Sequence, residues 1–224
     1  MDDEATASGL RAETERRLPD APGSRPCAVV LGDSIVYGWG AAYAESYPAR
    51  LEAMLRAREG DDWRVDNAGL PGETALMGAD RYSRHVAPFR PRVVVIAYGL
   101  NDGALARSAF DAQREWLWRA RRWPMLRWGY AAKRLLAGLG IWRRISRLAA
   151  GRAAWGHTRP RVSPPLFARA LRGLVRRAQR EGARVLLVGL APLTAEAAAY
   201  TRPCLGESQW ESYARCEEAI ARVA

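Results

Sequence analysis

Residues 27–38 read CAVVLGDSIVYG, in which five apolar positions lead directly into Gly32-Asp33-Ser34. An apolar run of this length followed by Gly-Asp predicts a short buried strand that ends in a turn, with Ser34 at the start of the next helix. Backbone N–H groups at a helix N-terminus favour negative charge. Ser34 is therefore a candidate nucleophile. The alternative is an ordinary strand-to-helix turn in which Ser34 caps the helix.

Two further segments place glycine and asparagine at the ends of predicted strands. Residues 65–72, VDNAGLPG, end in a Gly/Pro turn, and residues 93–102, VVVIAYGLND, end in Gly-x-Asn-Asp. Loops at the carboxyl ends of neighbouring parallel strands meet in one crevice, so we expect Ser34, Gly69 and Asn101 to lie together. Acyl transfer needs a hydroxyl nucleophile and fixed donors for an oxyanion. The amides of Ser34 and Gly69 and the side chain of Asn101 could supply those donors.

The three segments together resemble the SGNH, or GDSL-type, hydrolases. Gly32-Asp33-Ser34 is similar to the family's first block, Asn67-Ala68-Gly69 to its second, and Gly99-Leu100-Asn101-Asp102 to its third, in the same order. The resemblance covers residues 27–110 well and residues 160–224 loosely. It implies an α/β fold with a doubly wound, flavodoxin-like parallel sheet and flanking helices.

The resemblance also implies a function and a set of site residues. Ser34 would be the nucleophile of a serine esterase, in the acyl esterase, lipase or acetylesterase class. Its amide, Gly69 and Asn101 would form the oxyanion hole, with Asp33 and Asp102 as supporting residues. The substrate would be a small-molecule or lipid ester, and neither a cofactor nor a metal is implied.

The family's general base is missing from this sequence. In the family an Asp-x-x-His near the C-terminus supplies the base and the carboxylate that orients it. Here the last aspartate is Asp111, and the only histidines are His85 and His157. His85 is predicted to end a helix before the strand at 93–98, by the amino ends of the strands. His157 leaves from the correct edge of the sheet, although a surface-loop histidine is the simpler interpretation.

A basic insertion is predicted at residues 112–161. It holds 13 Lys/Arg, one acidic residue and six of the nine tryptophans, so its charge of +12 exceeds the +11 of the whole chain. Apolar residues at helical spacing with arginines beside them fit a helix on an anionic membrane surface, or a cap over the active site. No recognised nucleic-acid-binding module accompanies the charge, which argues against nucleic acid as a partner.

The remaining sequence sets the domain organisation. Pro19, Pro22, Gly23 and Pro26 predict a weakly ordered arm over residues 1–26, and residues 27–224 are predicted to form one α/β domain. Because no run of 18 apolar residues and no signal peptide is present, we expect a cytoplasmic protein, membrane-peripheral if the insertion binds lipid. The cysteines have no metal-ligand spacing and are expected to be reduced.

Helix and strand signals complete the predicted alternation. Ser46 and Pro48 open a helix carrying Leu51, Met54 and Leu55. Ser163 and Pro164 open a second, with Phe167, Ala170, Leu171, Leu174 and Ala178 on one face and Gly182 closing it. A fourth strand is predicted over residues 184–190 and a last helix over residues 207–223.

Three hypotheses stay open from the sequence. The first is a hydrolase whose Asp and His lie beyond Ala224. The second is an inactive relative that binds acyl or carbohydrate ligands in the same crevice, and the third is a membrane-surface protein acting through the insertion.

Overall fold

The computed structural model describes residues 26–105, 111–112, 114–115, 118, 159–190 and 207–224. Predictions about the N-terminal arm, about most of the insertion and about His157 lie outside these residues. The described strands are β1 (Cys27–Gly32), β2 (Arg64–Gly69), β3 (Val93–Ala97) and β4 (Arg184–Leu187). The α-helices that lie wholly within the described residues are α1 (Ser34–Tyr37), α2 (Tyr47–Glu59), α3 (Ala75–His85), α4 (Leu100–Gly103), α5 (Pro164–Arg180) and α6 (Glu207–Ala221).

The strands form a parallel sheet in the order β2-β1-β3-β4. In the register of the sheet, Gly32 at the end of β1 lies opposite Gly69 on β2 and Ala97 on β3. The carboxyl ends of three neighbouring strands therefore stop at one level. The predicted α/β class and the convergence of the three strand ends are both confirmed.

Helices cover both faces of this sheet, as expected for a doubly wound fold. The larger apolar cluster lies under α3, α5 and α6, and its buried side chains include Leu31, Leu76, Tyr82, Ile96, Phe167, Leu171 and Ile220. On the other face, α2 packs Leu51 and Leu55 against a smaller cluster of Ala28, Val30, Val36, Val65 and Val95. Burial of these apolar surfaces provides the main driving force for folding.

The helix predicted after Ser163 is confirmed over Pro164–Arg180. The apolar residues predicted for one face recur at helical spacing, so they fall together on the side that packs into the larger apolar cluster. The five side chains predicted for that face are buried: Phe167, Ala170, Leu171, Leu174 and Ala178. Gly182 follows the helix with φ +85°, a conformation that glycine adopts without strain.

Other predicted elements differ in detail. On α2, Met54 points outward with 69% of its surface exposed. Strand β4 ends at Leu187 and is three residues shorter than predicted, although the Val188 N–H still donates to Ile96 O at 2.9 Å. Helix α6 ends at Ala221, two residues early. None of the helices in the described part of the chain is both long and apolar enough to span a bilayer.

Candidate active site

Ser34 is the first residue of α1, immediately after β1. Asp33 has an extended backbone and its Oδ1 accepts the Ile35 N–H at 3.0 Å, so Asp33 is the N-cap. The alternative in which Ser34 caps the helix is therefore wrong. The half-buried Ser34 hydroxyl has no hydrogen-bond partner among the described residues. Helix α1 is one turn long, so its macrodipole adds little at Ser34.

Asn67, on β2, ties the sheet to α1. Its Nδ2 donates to the carbonyl oxygens of Val36 at 2.9 Å and Tyr37 at 3.4 Å, and its Oδ1 accepts the Gly69 N–H at 2.9 Å. A Cβ on Gly69 would lie 2.3 Å from the Tyr37 nitrogen, so only glycine permits this close approach. The Gly69 N–H is thus used within the protein and, in this arrangement, is not free to bind an oxyanion.

The turn after β2, residues 70–73, presents a different amide. The Glu73 N–H donates to Leu70 O at 3.1 Å, and Gly72 has φ +73° after Pro71, the pattern of a type II turn. Gly72 is exposed, and its N–H meets no acceptor among the described residues. Of these two amides, the Gly69 N–H is bound to Asn67 Oδ1, and the Gly72 N–H is the one without an acceptor among the described residues. Its Pro-Gly turn signal is visible in the sequence, but it does not show which amide is free.

Asn101 lies where the sequence predicts it, in the first turn of α4. Its Nδ2 is 3.3 Å from Asp33 Oδ2. Asp33 therefore contacts the Ile35 amide with one oxygen and the Asn101 amide with the other. Burial raises the pKa of Asp33, and the hydrogen bonds that it accepts oppose this increase. Asp33 thereby positions the Asn101 side chain next to the segment that carries Ser34.

Asp102 is completely buried beside this group. Its two carboxylate oxygens lie 3.0 and 3.2 Å from the Ala75 nitrogen, so it satisfies an N–H at the start of α3. Burial raises the pKa of Asp102 from 3.8 to about 7, against the lowering effects of the Ala75 hydrogen bond and the Arg161 charge. Its role in the described structure is to hold α4 against the start of α3.

We expect the Asp102→Asn substitution to weaken the pH dependence of stability. Because the pKa is higher in the folded protein, about 7 against 3.8, the folded state binds the extra proton between these values. The free energy of unfolding therefore falls as pH rises through this interval. The substituted asparagine would keep an acceptor for the Ala75 N–H and cannot ionise, so the variant should gain stability relative to the wild type above the folded pKa.

Urea unfolding of both proteins across this interval measures the effect. Burial also raises the pKa of Asp66, to about 6. Asp66 and Asp33, whose pKa is also raised by burial, contribute a dependence of the same sign to both proteins, so the difference between the proteins reports mainly Asp102. The same slope in wild type and variant would contradict the assignment.

Comparison with known proteins identifies the family. Residues 30–224 match the GDSL-like Lipase/Acylhydrolase family. The chain belongs to this family. It is 40% identical over 86 residues to esterase TesA of Pseudomonas aeruginosa and 34% identical over 95 residues to GDSL esterase/lipase WDL1 of Oryza sativa subsp. japonica.

These alignments cover 38% and 40% of this chain, and 42% and 33% of the two relatives, which is less than half of each relative's length. The crystal structure of a lipase/acylhydrolase from Enterococcus faecalis aligns with a TM-score of 0.51 at 19% identity. That alignment covers 88% of this chain and 72% of the other. Similarity at this level supports the same fold.

The histidine among the described residues of this GDSL-like protein lies at the end of α3 that is far from the candidate site. His85 is the last residue of α3, the helix that leads from the carboxyl end of β2 towards the amino end of β3. Burial and the nearby Arg81 charge lower its pKa. As predicted, His85 is at the edge of the sheet opposite to Ser34. His157, the other candidate base, is outside the described residues.

Sequence reasoning missed a buried polar network behind the site. Glu73 accepts hydrogen bonds from Tyr98 Oη at 2.6 Å and from Arg81, whose Nε lies 2.5 Å from Oε1 and whose Nη2 lies 2.6 Å from Oε2. Arg81 Nη2 also donates to Ala68 O. Gly78 on α3 leaves room for Tyr98, since a Cβ there would lie 2.2 Å from Oη. These residues are dispersed in the sequence, and no local pattern links them.

Proposed function

We propose that this chain is the core of a serine ester hydrolase acting on carboxylic esters, with Ser34 as its nucleophile. One observation supports the proposal above the others. Asp33 contacts both the Ile35 amide and the Asn101 side chain, so a hydroxyl without an internal partner and an amide donor occur at the same edge of the sheet. Membership of the GDSL-like family makes ester hydrolysis the expected reaction class.

In the proposed reaction the Ser34 hydroxyl attacks the acyl carbon and transfers its proton to a general base. The carbonyl oxygen becomes an oxyanion, which the Asn101 Nδ2 group and the Ser34 N–H stabilise. We assign the third donor to the Gly72 N–H, because the Gly69 N–H is bound to Asn67. Gly69 would then contribute by allowing β2 to approach α1 closely. Asp33 would contribute by positioning Asn101, and Asp102 by binding the Ala75 N–H.

The general base is proposed to lie outside the described residues. Two positions fit the sequence: His157, or an Asp-x-x-His in sequence that follows Ala224. A direct test is hydrolysis of p-nitrophenyl acetate by the full natural chain as wild type, as Ser34→Ala and as His157→Ala. Loss of turnover in the Ser34 variant supports the proposal, and full turnover in that variant would refute it.

A second candidate function is ligand binding without catalysis. The observation that favours it is the absence of Asp-x-x-His from these 224 residues. Such a protein would bind acyl or carbohydrate esters in the same crevice without releasing product. Calorimetric binding of an ester, together with no turnover in the full natural chain, would favour this function over hydrolysis.

Membrane-surface binding by the basic insertion, residues 112–161, is a separate proposal that rests on sequence alone. Its excess of arginine and tryptophan should bring it to anionic lipid and release it at high salt. We expect the protein to co-sediment with vesicles containing anionic lipid and much less with neutral vesicles. Equal binding to both, or unchanged binding after deletion of the segment, would contradict this proposal.

A further inference from the structure

Arg161 connects two carboxyl-edge loops that carry proposed site residues. Its Nη1 donates to Gly72 O at 3.0 Å, in the turn after β2. Its main chain and that of the next residue pair with the C-terminal end of α4, because the Arg161 N–H donates to Ala104 O and the Val162 N–H to Asp102 O, both at 3.0 Å. One residue therefore joins the proposed Gly72 donor to the loop of Asn101 and Asp102.

Asp111 holds the Arg161 guanidinium in one orientation. Nε lies 3.2 Å from each carboxylate oxygen, and Nη2 lies 3.1 Å from Oδ1. The two side chains are only 16% and 4% exposed, so water screens the pair little. A guanidinium bound through two of its nitrogens cannot rotate freely, and the third nitrogen is then directed at a fixed point. That point is the Gly72 carbonyl.

Two arginine–carboxylate pairs therefore contact the turn after β2. Arg81 pairs with Glu73, the last residue of the turn, and also donates to Ala68 O in β2. Arg161 pairs with Asp111 and donates to Gly72 O. The Gly69 N–H is bound to Asn67 Oδ1 and the Glu73 N–H to Leu70 O, whereas the Gly72 N–H has no acceptor among the described residues.

We propose that Arg161 is a positioning residue for ester hydrolysis, which fixes the turn that presents the Gly72 N–H to the oxyanion. This inference rests on the proposed function. Arg161 does not touch the reacting atoms in this role. It acts through the Gly72 carbonyl, and Asp111 acts through Arg161. A turn that moves by about an ångström would misplace the donor, and errors of that size cost up to about a hundredfold in rate.

The test compares Arg161→Met, Arg161→Lys and Asp111→Asn with a matched control. Lysine keeps the charge but cannot bind Asp111 through two nitrogens while a third reaches Gly72. The control is Arg215→Met, which removes an exposed arginine from the Arg215–Glu211 pair on α6. All variants are made in the full natural chain, and thermal unfolding confirms that each is folded.

Two readouts are measured. Amide hydrogen–deuterium exchange of peptides covering residues 69–77 reports the turn without any need for activity. Steady-state kinetics on p-nitrophenyl acetate separates kcat from KM. We expect faster exchange in the three site variants and a fall in kcat of about tenfold to a hundredfold, with KM changed by less than about threefold. Guanidinium ions in millimolar amounts should partly restore kcat in Arg161→Met, and Arg215→Met should behave as the wild type.

The outcomes separate the two proposals. Unchanged exchange in folded Arg161→Met would overturn the positioning role, whatever the activity. Faster exchange with unchanged kcat would also overturn it, because the turn would then be irrelevant to the reaction. A third outcome is faster exchange in Arg161→Met together with no ester hydrolysis by the wild type. It would refute the proposed function and support only the structural contact of Arg161 with the turn.

Discussion

Ser34→Ala is expected to abolish ester hydrolysis by the full natural chain, with a fall in kcat on the order of a millionfold. The reason is that the hydroxyl is the proposed attacking group, and donors to the oxyanion cannot replace it. Ser34 makes no side-chain hydrogen bond with the described residues, so its substitution should leave the fold intact. Burst and steady-state release of p-nitrophenol, with circular dichroism as the control for folding, measures the effect.

The same assay locates the base. We expect the 224-residue chain to turn over short p-nitrophenyl esters very slowly, because His85 lies at the wrong edge of the sheet and His157 is most simply interpreted as a surface-loop histidine. A longer natural reading frame with Asp-x-x-His should restore turnover, and removal of that histidine should abolish it again. Rapid turnover by the 224 residues that is lost in His157→Ala would instead assign the base to His157. Rapid turnover that survives Ser34→Ala would reject the mechanism itself.

Gly69→Ala is expected to destabilise the protein by about 3 kcal/mol or more, the upper range for an overpacked core. A Cβ at this position would lie 2.3 Å from the Tyr37 nitrogen and 2.7 Å from the Val36 carbonyl carbon. These are backbone atoms, so no side-chain rotation relieves the clash. Moving α1 away would lengthen the hydrogen bond from Asn67 Nδ2 to Val36 O and displace Ser34. Urea unfolding measures the loss.

Gly173→Ala is the matched control for this prediction. Gly173 lies within α5, and a Cβ there would have no atom within 4 Å. Because alanine is a better helix former than glycine, this variant should gain about 1 kcal/mol. Equal stability changes for the two substitutions would show that the approach of α1 to β2 is looser than the structure indicates. A loss of stability in Gly69→Ala and a gain in Gly173→Ala would confirm that the position of the glycine, and not the residue type, controls the change in stability.

The amino-acid sequence by itself determined the class of fold and the place of the proposed nucleophile. Short apolar runs that end in Gly-Asp-Ser and Gly-Leu-Asn-Asp are local signals, and a parallel sheet brings such strand ends to one edge. Helix α5 was predictable for the same reason, because its buried residues follow the 3.6-residue period of a single helix. In each case the pattern that decides the structure lies within about 20 consecutive residues, or follows from the general way in which parallel strands are connected and arranged in a sheet.

Only the tertiary structure decided which backbone donors are free. Gly69 and Gly72 lie three residues apart at one strand end, and the sequence pattern pointed to the Gly69 amide. The choice depends on Asn67 Oδ1, which takes the Gly69 N–H. The turn that carries Gly72 is contacted from 89 positions away, where Arg161 binds the Gly72 carbonyl. Hydrogen-bond pairing of this kind depends on the distance between atoms in the folded chain, and residue order alone does not specify that distance.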